Sequence, residues 1–269
     1  MIRVNVDPTN PGQFFACCGL LELADRLWPG AEGWFEKSDF CVACEGDLPT
    51  LLAILVKDLP TQILTLEVNG LEVPPIIAPL AFSFNGGSTT ALILDAWTRI
   101  AVLRGQAQVI SNSPWNFWSG QQTSMRIWTG LRAELVAQLH RFEPTDFVAL
   151  FSQRLLQRGR FGFDPGPAWN ALDVGFSPNE HGMEVVSSPA VEMLAAVGLQ
   201  RFRPVMSKNR ESFQYCTWPS PYSPFIAAAA MAGAMLESGD VRFRCTVVSR
   251  GQYAALGISY PIRQGAFDE

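Results

Sequence analysis

The chain of 269 residues is 48% hydrophobic and 17% charged, too apolar for an intrinsically disordered protein. A chain this long buries roughly three quarters of the surface it exposes when unfolded, so no disulfide or metal staple is required. Its net charge of -5 comes in blocks. Residues 1–98 carry -8, 99–163 carry +5, 164–200 carry -5 and 201–250 carry +4.

Ile2 to Val6 alternates apolar and polar residues as a short strand does. Asn10-Pro11 then offers an N-cap followed by a proline at the first helical position. Phe14, Cys17, Cys18, Leu21, Ala24, Leu27 and Trp28 recur at helical spacing up to Pro29-Gly30. Strands are expected at Phe40 to Cys44 and Gln62 to Val68, flanking a short helix at Leu48 to Lys57, with Val73 to Pro79 as a connection. Leu80 to Phe84 and Ala91 to Trp97 read as strands joined by the turn signal Asn85-Gly86-Gly87. Helices are expected from Gln121 to His140 and from Pro144 to Gln157. Phe161 to Ser177 lacks a period and reads as a structured loop with short strands.

The last third restarts the pattern. Ser187-Ser188-Pro189 opens a helix at Ala190 to Leu199, followed by a strand at Phe213 to Trp218, a helix at Pro224 to Glu237, and strands at Val241 to Ser249 and Tyr253 to Tyr260. With one gap, Ser188-Pro189 and Ala195-Ala196-Val197-Gly198-Leu199 echo Asn10-Pro11 and Ala16-Cys17-Cys18-Gly19-Leu20. The expectation is an α+β fold of mixed helices and short strands. It forms mostly one compact domain over 1–269, with a weak subdivision into 1–163 and 164–269.

No apolar run approaches the roughly 20 residues of a membrane span, and Met1 to Asp7 lacks the charged leader and apolar stretch of a secretory signal. A cytoplasmic chain is therefore expected, with its six cysteines (Cys17, Cys18, Cys41, Cys44, Cys216, Cys245) reduced and buried. Cys41-x-x-Cys44 has zinc-ligand spacing but no second pair, and in a strand the two thiols point to opposite faces. No metal or cofactor is expected.

Phosphate-binding loops, dinucleotide fingerprints, nucleophile elbows and zinc-protease helices are missing. Two histidines, His140 and His181, exclude a His-rich metal phosphohydrolase centre, and His140 reads as a helix end. Asp164, Asp173, Glu180 and Glu184 could hold magnesium. As residues of a Pro- and Gly-rich segment they read better as turn formers.

Of 20 basic residues 17 are Arg, the side chain that pairs bidentate phosphate contact with stacking on flat rings. Basic and aromatic residues interleave around Trp115, Phe117, Trp118, Arg126 and Trp128, and again around Arg154, Arg158, Arg160, Phe161 and Phe163. Cations for phosphate and rings for bases compose a nucleic-acid surface. The alternative is buried rings and a solvated basic face. The candidate contacts are Arg126, Arg132, Arg154, Arg158 and Arg160, with Arg201, Arg203 and Arg210 as a second group.

The opening from Val6-Asp7-Pro8-Thr9-Asn10-Pro11-Gly12-Gln13-Phe14-Phe15-Ala16-Cys17-Cys18-Gly19-Leu20 to Ala24 resembles the start of small Csb-type CRISPR-associated proteins of type I-G, formerly type I-U. Trp118-Ser119-Gly120-Gln121-Gln122, Trp169 to Glu180 and Ser188 to Pro204 resemble further blocks of that family. The resemblance implies antiviral defence in a bacterium or archaeon. CRISPR RNA or target DNA and other Cas proteins are then the partners, and the role is that of a non-catalytic effector subunit or accessory. In such complexes base pairing reads most of the sequence while protein holds backbones and a short flanking motif. Two other readings stand beside it. One is a metal-dependent nuclease using Asp164, Asp173 and Glu180; the other is a protein-interaction module that never touches nucleic acid.

Overall fold

A computed structural model describes residues 1–57, 61–62, 70–82, 92–118, 122–157, 159–165, 186–235, 238–250 and 253–262. At the N-terminus, β1 (Ile2–Asn5) faces the core with Ile2 and Val4 and pairs antiparallel with β3 (Asp39–Ala43), which in turn pairs with β2 (Glu32–Glu36). Between β1 and β2 runs α1 (Pro11–Leu27). The Asn10 side chain accepts the Gln13 N–H at 3.2 Å, and every side chain from Pro11 to Ala24 is buried. A helix apolar on all sides needs neighbours on all sides.

The second half of the chain repeats the capped helix and the antiparallel pair that follows it, while the strand before the helix pairs elsewhere. A short strand precedes α5 (Pro189–Arg201), whose N-cap Ser188 accepts the Val191 N–H, and an antiparallel pair follows it. That pair is β11 (Val205–Met206) with β12 (Ser212–Cys216); β12 joins β13 (Arg242–Arg250), which also pairs with β14 (Tyr253–Leu256) and β15 (Tyr260–Ile262). The echo between residues 10–20 and 188–199 is thus structural. Each copy supplies a capped helix buried up to its last turn, and each helix ends at an aromatic residue, Trp28 or Phe202.

The two helices pack backbone to backbone. A Cβ on Gly19 would lie 2.0 Å from the Leu194 carbonyl oxygen, and one on Gly198 would lie 2.1 Å from that of Phe15. The two sheets meet where Gly33 and Tyr222 exchange backbone hydrogen bonds (2.9 and 3.1 Å) and the Trp218 indole donates to the Gly33 carbonyl at 2.7 Å. Phe14, Phe35, Phe40, Phe202, Tyr215 and Trp218 form the aromatic core beside that seam.

The middle of the chain closes over this core. It holds α2 (Leu48–Lys57), the antiparallel strands β4 (Thr61–Gln62), β5 (Leu80–Phe82) and β6 (Leu92–Leu94), and α3 (Ser124–Leu139), whose cap Thr123 accepts the Arg126 N–H. α3 packs on α5 and α2 through a face that includes Trp128, Leu131 and Leu135, and His140 stands at its C-terminal end. The pairing of Leu80 with Leu94 and Phe82 with Leu92 fits the expected hairpin, whose turn at 85–87 lies outside the described residues. Most of the strand expected at Gln62 to Val68 lies there too.

The class is α+β, as expected, with corrections in detail. The helix expected over Pro144 to Gln157 is only α4 (Pro144–Val148). A 3-10 turn at Leu150–Ser152 then drives Leu150 and Phe151 into the core, and β9 (Leu155–Leu156) pairs with β10 (Val186–Ser187). The helix expected to reach Glu237 is α6 (Pro224–Met231). Gly233 takes a φ of +78° and the Ala234 N–H returns to the Ala229 carbonyl, a glycine-terminated helix end. The last expected strand is broken at Gly257 into β14 and β15. Unforeseen are β2, β11 and the ribbon of β7 (Thr98–Leu103) with β8 (Gln106–Ser111). Among the described residues no helix is long and apolar enough to cross a membrane.

All six thiols are free. Burial pushes Cys17 and Cys18 well above the ordinary thiol range and Cys245 up to about 12. Since the thiolate is the reactive form, alkylation of the native protein at pH 8 should label the half-buried Cys44 first. Cys17, Cys18 and Cys245 should react only after denaturation, as mass spectrometry of the digested protein would report. Native labelling of Cys17 at the rate of Cys44 would contradict this packing.

Candidate nucleic-acid interface

The basic blocks do not form one solvated face. Arg132 sits at the end of α2, where its guanidinium donates to the Val56 carbonyl (2.5 Å) and the Lys57 carbonyl (3.4 Å). It therefore answers the unpaired carbonyls of a helix C-terminus. Arg201 pairs with the buried carboxylate of Glu22, which also takes Arg26, and its guanidinium lies 4.2 Å from the centre of the Phe225 ring. Arg203 pairs with Asp95 at the surface. Arg210, in a left-handed conformation with φ +61°, donates to Asn112 Oδ1 at 2.7 Å and to the Ser113 carbonyl.

Arg154 and Arg160 belong to a second charged group, at the N-terminal ends of α1 and α5. Asp164 is buried and accepts from Asn10 Nδ2 at 2.9 Å, with the Arg154 guanidinium 3.8 Å away. The Glu192 carboxylate accepts the backbone N–H groups of Gly162 (2.8 Å), Phe163 (3.3 Å) and Asp164 (3.0 Å). Burial raises the pKa of Glu192 and lowers that of Arg160, and each charge partly offsets the shift of the other. The group clamps residues 161–164 against both central helices. A Cβ on Gly12 would strike the Phe163 carbonyl at 2.6 Å.

Six of the seven described candidate arginines thus have partners within the chain. Arg126 is exposed and without a partner among the described residues, and Arg158 lies outside them. Arg126, Arg154 and Arg203 remain exposed. Charge summed along the sequence counts arginines whose carboxylates lie far away in the chain. The neighbouring rings are core, since Trp115, Trp118, Trp128, Phe161 and Phe163 are all buried, and Trp97 stacks on Phe161 at 5.0 Å.

Of the acidic candidates for magnesium, Asp164 is the residue described. Asp164 reaches across the fold to Asn10. Asp173, Glu180, Glu184 and His181 lie outside the described residues. Cys41 is buried in β3 and the Cys44 thiol donates to the Gly46 carbonyl. Among the described residues no three His, Cys, Asp or Glu side chains are grouped to hold a metal.

What the sequence reading missed is the β7–β8 ribbon. Among the described residues its strands pair only with each other, in register from Thr98 opposite Ser111 to Leu103 opposite Gln106. Arg104 and Gly105 turn it with φ of +52° and +78°, the primed turn suited to a two-residue loop. Residues 98–111 contain Arg99 and Arg104 and no carboxylate. The signal was present as the apolar run Ile100 to Leu103 before Arg104-Gly105 and the alternation Gln106 to Val109 after it. At its base Asn112 ties back to Trp97 and Ala96. Burial, and then the charge of Arg99, push the Arg210 guanidinium below its ordinary range.

Comparison of the chain with family models, with curated proteins and with solved structures found no match.

Proposed function

We propose that this chain is a non-catalytic subunit or accessory of a type I-G CRISPR antiviral effector, working in the cytoplasm with CRISPR RNA or target DNA and other Cas proteins. The observation that carries this reading is the meeting of the two longest blocks of resemblance. Val6 to Ala24 and Ser188 to Pro204 hold α1 and α5, which touch at Gly19 and Gly198. The likeness therefore falls on residues that depend on one another for packing. Six free thiols agree with a reducing compartment.

The test is co-expression of the tagged chain with the CRISPR RNA and Cas proteins encoded beside it. A stoichiometric complex containing CRISPR RNA is expected, by size-exclusion chromatography and sequencing of the bound RNA. A complex that assembles and protects cells without this chain would overturn the proposal. So would magnesium- or manganese-dependent cleavage of labelled nucleic acid abolished by Asp173→Ala, which would mark the nuclease reading instead.

A further inference from the structure

We infer that the β7–β8 ribbon is a duplex-DNA contact that enters the major groove. The inference deepens the reading of the chain as a nucleic-acid-handling subunit and rests on it. Two strands of six residues reach about 20 Å at roughly 3.4 Å per residue. A two-stranded ribbon fits the major groove of B-DNA, roughly 12 Å wide, whereas the deep, narrow major groove of A-form RNA admits no such element.

The register sorts the side chains. Arg99, Ala101 and Leu103 share one face with Ile110, Gln108 and Gln106, since cross-strand partners point the same way. That face carries the side chains that pair with guanine and adenine edges, Arg and Gln, and Arg104 stands exposed at the tip for phosphate. On the other face Val109 is buried at the base, which leaves Val102 (72% exposed), Ala107 and half of Ile100. An apolar strip that short is a poor anchor for a protein partner, whereas 14 residues with two arginines and no carboxylate, in a chain of net charge -5, complement a polyanion.

The surroundings extend the positive ground. Lys208 is exposed on the turn that brings Arg210 to Asn112 and Ser113 at the ribbon's base. Of the nearby carboxylates Asp95 is paired with Arg203, while Glu211 accepts from the Asn209 amide and keeps its charge. An isolated two-stranded ribbon is marginal in water. A ribbon that stands out with its tip uncovered is an element whose surface is completed by what it binds.

The experiment uses the full chain with a 24-base-pair B-DNA duplex, an RNA duplex of the same sequence and each single strand, by fluorescence anisotropy at several salt concentrations. The parent should favour the DNA duplex. Arg104→Gln should weaken binding to all sequences and lower the salt slope by about one unit. Gln106→Ala with Gln108→Ala should lose sequence preference, by at least about fivefold on the best site, with the slope kept. These tip residues are exposed, so thermal melts should match the parent. Val102→Thr, on the opposite face, should bind DNA as the parent does. If the parent binds no duplex, or if folded Arg104→Gln and Gln106→Ala/Gln108→Ala variants match it, the ribbon inference is wrong. Assembly of these variants with CRISPR RNA and Cas partners then reports separately on the subunit reading, which stands if complexes still form.

Discussion

Replacing Gly19 or Gly198 by alanine should destabilise the protein by about 3 kcal/mol or more, against the trend for glycine in a helix. An exposed mid-helix Gly→Ala change gains about 1 kcal/mol of propensity. Here the new methyl would start 2.0 Å from the Leu194 carbonyl oxygen, or 2.1 Å from that of Phe15. Both obstacles are backbone, and no rotamer change relieves them. Relief requires α1 and α5 to separate, which loosens contacts along two helices buried over most of their length. Overpacking of this kind costs 1–3 kcal/mol and occasionally more, so the steric term wins. Because both glycines serve one crossing, the double variant should cost less than the two single changes added together. Urea denaturation of the three variants measures this. Melting at or above the parent's temperature for either single variant would show that the helices do not meet at these residues.

The helix starts were legible because their signals are local. A capping side chain, a proline and an apolar run within about ten residues specify Asn10-Pro11 and Ser188-Pro189 with no reference to the rest of the chain. Even the internal echo could be read. Its consequence could not, since nothing local says that Gly19 and Gly198 face each other. The errors at α4 and α6 have the same origin. Leu150 and Phe151 fit a helical period, yet their burial is satisfied by a 3-10 turn followed by strand pairing with residues 186–187.

The charged residues were the least legible, for a physical reason. Arg201 pairs with Glu22 across 179 positions and Arg203 with Asp95 across 108. A block of arginines is therefore no guide to surface potential when its partners come from other blocks. The acidic first block and the basic fourth block partly neutralise each other in the fold. Unpaired positive charge survives inside the 99–163 block, on Arg126 and on Arg99 and Arg104 of a ribbon assembled by strand pairing, and the block sum does not single these residues out.

Glu192→Ala should cost about 3–5 kcal/mol, the penalty for leaving a buried ionic group without its partner. The change strips the acceptor from three backbone N–H groups at residues 162–164 and leaves Arg160 without the carboxylate that offsets its burial. Glu192→Gln should cost less, since the amide keeps one carbonyl oxygen as an acceptor. Its pH dependence tests the electrostatics of the clamp. Burial raises the Glu192 carboxyl above its ordinary 4.5, more than Arg160 lowers it. Above 4.5 the folded state then holds a proton more readily than the unfolded one, so this group's contribution is fully present below 4.5 and is lost as pH rises through the folded pKa. Glutamine does not titrate, so the stability gap between parent and Glu192→Gln should widen as pH falls toward 4.5 and level off below it. Urea midpoints of both proteins from pH 7 to pH 4 measure the gap. A gap that narrows on acidification would mean that Arg160 outweighs burial and that the folded carboxyl titrates below its ordinary value.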